Sequence, residues 1–453
     1  MTFDICCSEI AIRDATALDA WNAMIRAFLA HGAAAPDHLA RVLEGAPDAA
    51  LPHAAKGLFC MLMGRSEMTE AARDAALRAR AAVEGGDDTQ RAAAWLAALE
   101  AWLSGHPSGA VFHLETVLAR NPADTLTMKV CHAIRFVLGD ARGMRLSVEH
   151  TLAAHGADHP LRGYTLGCHA FALEETGDYD AAEGAGRAAL EVAPDDAWGL
   201  HAVAHVYDMT HRSDAGIALL DANEAAWDHC NNFRFHVWWH KALLHLDRGE
   251  TDTVLALYDG KIREEKTDDY RDISNATSLL MRLELEGVAC GDRWDELAEL
   301  SETRLTDGCL VFADLHYMLA LASNGRRDSA NRLTARIASS GRARTEPGRI
   351  AAHPGEAAAR GLEAFGEGRY EVAFEMLSHA RAHMQTIGGS HAQRDIFERI
   401  CIDAGLRAGE LARTEAILTE RTALRAEHRD RFADTRFSAI AEARRNAALY
   451  AAQ

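Results

Sequence analysis

The sequence predicts an all-α chain built as a superhelix of stacked helical hairpins, and three observations predict it. Prolines number nine in 453 residues and alanine is abundant, which leaves long uninterrupted stretches of helix formers. The Val-, Ile- and Thr-rich alternation that marks strands is hardly present. A short helix breaker also recurs inside one phrase: helix, turn, acid, two residues, alanine, helix. It falls at Gly105, Gly139, Gly177, His211 and Gly249, then at Gly325, Gly368 and Gly409. The first five are separated by 34, 38, 34 and 38 residues, and the last three by 43 and 41.

Taken in chain order, residues 1–90 read as divergent helical hairpins that close at the polar break EGGDDTQ (84–90). Residues 91–340 carry the regular units, interrupted by the charged loop EEKTDDYRD (264–272). The stretch SSGRARTEPGRIAAHPG (339–355) reads as a linker, and residues 341–453 as further repeats ending in charged capping helices. A period near 34 residues is that of tetratricopeptide repeats. Its clearest unit is residues 169–198, where Tyr179 and Ala182 fill the apolar slots of the second helix and Pro194 ends the unit. A single helical hairpin cannot bury both apolar faces, so neighbours stack and curve, and first helices line the concave side.

Composition narrows the partners. A formal net charge of −19 argues against nucleic acid and against an anionic membrane surface. No apolar run reaches the ~18 residues of a membrane span. The start, MTFDICCSEIAIRD, lacks a basic region before an apolar stretch, so no signal peptide is read there. Nine cysteines without a CxxC spacing fit a reducing compartment, and the expected location is the cytoplasm.

The chemistry concentrates in two segments, HAVAHVYD and FRFHVWWHKALLH. Each carries an H-x-x-x-H pair, His201 with His205 and His236 with His240, offset by 35 residues. With His211 as the turn position of a generic repeat, Trp198, His201, His205 and Asp208 face the groove. Leu200, Val203, Ala204 and Tyr207 pack between helices. For the second pair two registers remain open. One aims His236 and Trp239 at the groove and leaves His240 beside it; the other aims both histidines inward. His245 reads as packing.

Further groups can join them: His132, Tyr164 and Glu174 from earlier repeats, then Asp272 and Asn275, Asp314 and His316. In TIGGSHAQRD (386–395), Ser390 reads as an N-cap and Arg394 as a ligand for a carboxylate or phosphate. Histidines at i and i+4 present nitrogens to one side of a helix, so His201, His205, His236 and His240 are candidate ligands of a Zn-like divalent metal, with Asp208 beside them. The pattern is not HExxH, and the usual general base is missing from it. The same residues are the candidates for acid–base chemistry.

Seven segments resemble the tetratricopeptide repeat protein 38 family. They are PADTLTMKVCHAIRFVLG (122–139), AFALEETGDYDAAE (170–183), AWGLHAVAHVYDM (197–209), CNNFRFHVWWHKALLHLDRGE (230–250), LLMRLELEGVACGDRW (279–294), LVFADLHYMLA (310–320) and IGGSHAQRDIF (387–397). They run in the family's order from about residue 90 to 400, while the first 90 residues match loosely. The family words include His132 of the K-x-x-H helix, both histidine pairs, and Asp208, often glutamate elsewhere. They also include Asp314 and His316 of the D-x-H helix, and Ala392 to Asp395. The resemblance implies a tetratricopeptide-like solenoid and one pocket shared by these words, and it implies no agreed reaction.

Three functions follow as expectations. The first is a binding protein whose concave pocket takes a small polar ligand or a peptide, contacted by His132, Tyr164, Trp198, the two pairs, Asp208, Trp239, Asp272, Asp314, His316 and Arg394. The second is an enzyme, metal-dependent or not, using the histidines on a small molecule. The third is a protein–protein scaffold; a homo-oligomer is compatible with each.

Overall fold

Helices follow one another as antiparallel hairpins from Ala15–Leu29 to Arg431–Ala451, as the repeats predict. The structure is a computed structural model that describes residues 2–87 and 89–451. Asp88, within the expected polar break, lies outside them, as do Met1 and the last two residues. The fold is all-α and tetratricopeptide-like, with one addition that alternation could not reveal. Thr2–Phe3 and Glu9–Ile10 form a two-residue antiparallel ribbon, too short for a period-two pattern.

The seven glycines among the expected turn positions all end a helix in the left-handed region, from Gly139 at φ 67° to Gly105 at φ 84°. This conformation lets the next helix fold back on the last. His211 takes the same role at φ 53° without being glycine. Its ring is fixed by Asp247, with Nδ1 to Oδ2 at 2.8 Å, a contact that offsets part of the conformational cost.

The apolar core runs in two large blocks. One gathers side chains between Cys6 and Ala193, around the fully buried Trp21 and Trp95. The other gathers side chains between Ala197 and Ile440. The 339–355 stretch is not the open linker its composition predicts. It folds into Glu346–Ile350 and the π-helical Ala351–Gly355. Glu346 donates its backbone N–H to Gly105 O at 3.0 Å, and its carboxylate accepts from Ser108 N at 2.9 Å. Glu346 serves a close contact there, while Arg342, Arg344 and Arg349 stay in solvent.

Similar contacts join distant parts of the chain elsewhere. Gly32 bridges to Cys230, and Asn231 N donates to His31 O at 2.8 Å. Gln385 Nε2 donates to Gly139 O at 2.9 Å, and Tyr179 Oη to Leu424 O at 2.8 Å. The array therefore curls until early and late hairpins touch, and its concave side becomes a partly open cavity. No helix among the described residues is long and apolar enough to cross a membrane. All nine cysteines are free thiols.

Candidate metal centre and the cavity beside it

Two neighbouring first helices carry the histidines. Ala197–Met209 starts at Asp196, whose carboxylate accepts from Gly199 N at 3.2 Å, and it buries Leu200, Val203, Ala204 and Tyr207 between helices. Phe233–Asp247 packs beside it. The spacing of four residues puts His201 above His205 and His236 above His240. All four rings then meet. Nε2 of His201 lies 2.9 Å from Nε2 of His205 and 3.0 Å from that of His236, and Nε2 of His240 lies 3.1 Å from that of His236. The ligand atoms of the four lie within 4.8 Å of one another. The register left open at His240 is resolved: its ring joins the set and is 1% exposed.

Hydrogen bonds alone do not satisfy this arrangement. A neutral imidazole nitrogen has one direction in its plane, used either to donate or to accept. Nε2 of His201 and Nε2 of His236 each face two other ring nitrogens, so at least one close N···N contact is left without a proton between its partners. Charging the rings makes matters worse. Burial holds His201 and His240 well below the usual imidazole range, and neighbouring rings add to it; burial also brings His236 down to about 3. Neutral rings with converging lone pairs are what a cation needs. A tetrahedral ion bound at about 2.0–2.1 Å would set its nitrogens about 3.3 Å apart, close to the observed edges.

The outer nitrogens are partly anchored too. His236 Nδ1 donates to Asn275 Oδ1 at 2.9 Å, which leaves its Nε2 lone pair free to face inward. His205 Nδ1 lies 3.5 Å from the fully buried Glu174 carboxylate. Glu174 also pairs with His391 Nε2. Burial opposes charge on both partners, yet attraction wins. His391, between Glu174 and Glu175, rises to about 9, and Glu174, facing His391 and His205, falls to about 2.

His201 and His236 also border a cavity of about 260 Å³, while His205 and His240 lie behind them. Its walls are mainly apolar and aromatic, from Phe28, Phe59, Phe136, Trp198, Phe233 and Phe312. Among the other expected residues, His132 and Asp272 line it. His132 meets the edges of Phe171 and Trp198 at 5.9 Å, with neither ring nitrogen hydrogen-bonded. Asp272 accepts from Asn232 Nδ2 at 3.2 Å and from Thr267 Oγ1 at 2.5 Å.

Six expected residues stand elsewhere. Asp208 is not beside the tetrad: Arg425 holds its carboxylate at 3.1 Å. Trp239 is fully buried and stacks on His236 at 5.3 Å, so it backs the tetrad instead of walling the cavity. Tyr164 donates its hydroxyl to Asp195 at 2.9 Å, away from the cavity lining. Asp314 is paired with Arg336, and His316 donates Nδ1–H to Phe312 O at 2.8 Å. The cavity's share of that helix is Phe312 itself. Arg394 turns to Gly389 O and to Glu175 at 3.6 Å, internal partners that occupy it. Ser390 caps its helix as expected, accepting from Gln393 N at 3.2 Å.

Sequence reasoning passed over three residues. His31 stacks on Phe233 at 4.4 Å and lines the cavity, but it lies in the hairpins where no repeat word guides the eye. Lys129 stands in the same K-x-x-H word as His132. His391 stands in the GGSH turn one residue past the cap.

No protein-family model matches the chain. Among solved structures, that of Naa15/Naa10 bound to HypK-THB is similar at 13% identity and a TM-score of 0.25, with 92% of this chain covered. The chain spans 64% of the length of that matched chain. The fold assignment rests on the helical hairpins themselves.

Proposed function

We propose that the chain is a metal-binding helical-repeat protein whose four-histidine centre serves a small-molecule cavity. The observation that carries this reading is the convergence of four buried Nε2 atoms, two of which face more ring nitrogens than hydrogen bonding can satisfy. An imidazole-only donor set suits Zn²⁺, Cu²⁺, Fe²⁺ or Ni²⁺ rather than Mg²⁺ or Ca²⁺. When bound, such an ion supplies a positive centre behind His201 and His236, at the wall of the cavity. The chain's own groups orient the ligands: Asn275 fixes His236, and Glu174 faces His205. A volume of about 260 Å³ favours a small molecule over a peptide.

An acid–base enzyme that uses these histidines without a metal is the weaker reading. Burial keeps His201, His236 and His240 neutral far below pH 7, so they are poor proton donors near neutrality. The resemblance to the tetratricopeptide repeat protein 38 family stands as part of the same proposal. It is supported by the meeting of separate family words, His132, both pairs and the GGS turn, at one cavity and its adjoining tetrad. A reducing, cytoplasmic location is supported by the nine free thiols.

Elemental analysis of purified protein, combined with a His201→Ala/His236→Ala double variant, tests the centre. About one equivalent of a transition metal per chain is expected, and the variant loses it while keeping its helical circular dichroism. Metal-free wild-type protein that takes up none of Zn²⁺, Cu²⁺, Fe²⁺ or Ni²⁺ on titration rejects the proposal.

A further inference from the structure

Beyond the tetrad, one wall of the cavity holds more hydrogen-bond donors than acceptors. Lys129, from the helix Thr125–Val137, lines the cavity and is 5% exposed. Its described contacts are Cys168 Sγ at 3.7 Å and the face of Trp198 at 4.4 Å. Among the described residues, no carboxylate lies within ion-pair distance of Nζ. A thiol is a weak acceptor, and the buried Asp196 carboxylate acts on Lys129 only from beyond ion-pair distance, so a three-donor ammonium taken out of water is left without a hydrogen-bonded anion.

Its neighbours on the lining are in a similar position. Trp198 Nε1 and Asn275 Nδ2 are buried and have no acceptor, and His132 keeps one N–H unpaired in either tautomer. The carboxylate on the lining, Asp272, is already engaged by Asn232 and Thr267. The charge of Lys129 is felt across this wall, since it helps to hold His132 and His201 neutral. The remaining lining is aromatic and aliphatic, with Phe28, Phe59, Phe136, Phe233 and Phe312 around the space. A cation with spare donors at one end and aromatic rings around the rest define a ligand with an anionic head and an apolar body.

We propose that the cavity binds a small organic acid, with its carboxylate on Lys129 and Trp198 Nε1 and its aromatic or aliphatic body among the five phenylalanines. This rests on the small-molecule cavity of the function proposed above, but not on the metal. The head lies near the tetrad, because Trp198, on which Lys129 sits, is 5.0 Å from His201 ring to ring. An acid bound there meets the cation of Lys129 first and the centre behind His201 second.

Calorimetric titration of the full chain with 4-phenylbutyrate, 4-phenylbutanol and 4-phenylbutylamine tests this, because the three share a body and differ in the head. The acid is expected to bind roughly tenfold or more tightly than the alcohol, the scale of hydrogen bonds to a charged group, and the amine more weakly still. Lys129→Met should abolish the preference for the acid, and Lys129→Arg should keep it. Equal binding of acid and alcohol, preference for the amine, or no binding of any of the three overturns the proposal. If Lys129→Met does not fold, the head-group series on wild-type protein and Lys129→Arg still decides. Acid preference that survives Lys129→Met but vanishes in His201→Ala/His236→Ala also overturns it, by placing the head on the metal centre. Metal content measured on the same samples separates the two proposals. Acid preference in protein that takes up no metal sinks the centre and leaves this inference standing, and stoichiometric metal without acid preference does the reverse.

Discussion

At the scale of single residues, the chemistry is decided by what burial does to charge. Three rings of the tetrad, His201, His236 and His240, are buried as neutral bases, whereas His391, a few ångströms away beside Glu174, is buried as a cation. One residue type serves opposite ends because its neighbours differ: other imidazoles in one case and two carboxylates in the other. This has a consequence for pH. His391 is raised from 6.5 to about 9, so its contribution to stability is whole below pH 6.5 and is lost as pH rises through 9. Glu174 is lowered from 4.5 to about 2, so its share is whole above pH 4.5 and is lost as pH falls through 2. Thermal midpoints measured from pH 6 to 9.5 should therefore fall for wild-type protein and fall less steeply for His391→Gln. Parallel slopes would remove His391 from this role.

The residue scale also shows what was legible in the chain. Counting from the turn at His211 places His201 and His205 in the groove; the structure puts His201 on the cavity and His205 one turn further along the same regular helix, behind it in the tetrad. Asp208 was counted in by the same rule and is elsewhere. Its position faces inward, but Arg425, 217 residues away, claims the carboxylate, and no local pattern encodes a partner so distant. Trp239 stands apart for a different reason: a large ring three positions after His236, on the same helical face, can stack behind that histidine as readily as beside a ligand.

At the scale of elements, the turns are the most legible feature. A helix must end in the left-handed region to reverse within a few residues, and glycine meets that need at little cost. Breakers could therefore be recognised without knowing the fold. The divergent first hairpins offered no such period, and so His31 and the Phe28–Phe59 wall were invisible. One cap carries a clear expectation. Ser390 and Gln393 form a reciprocal box at the start of His391–Arg407, the helix that presents His391 to Glu174. Ser390→Ala should cost about 1 kcal/mol of unfolding free energy in urea melts. A loss indistinguishable from zero would show that tertiary packing alone holds this helix end.

At the scale of the whole molecule, the contacts that join distant hairpins matter more than the repeat itself. Arg425 binds Asp208 through its carboxylate and its carbonyl, the latter at 2.6 Å, with both side chains largely buried. Removing one partner of such a pair strands the other without compensation, which typically costs about 3–5 kcal/mol. Arg425→Ala should lower stability by that order in denaturant unfolding, and Arg425→Lys by less. A change below 1 kcal/mol would mean that water replaces the arginine freely.

That closure changes what kind of object the repeat array is. An open solenoid can gain or lose a unit and still fold, since each hairpin answers only to its neighbours. Here Gly105 meets Glu346, Gly139 meets Gln385, and Cys230 meets Gly32, each across more than two hundred residues or nearly so. Inserting or deleting a hairpin between Gly139 and Cys230, the interval all three pairings span, would shift every later partner by a full unit and break them at once. The number of repeats is thereby locked, as the number of staves is in a hooped barrel, and variation in this architecture is confined to side chains and loop tips.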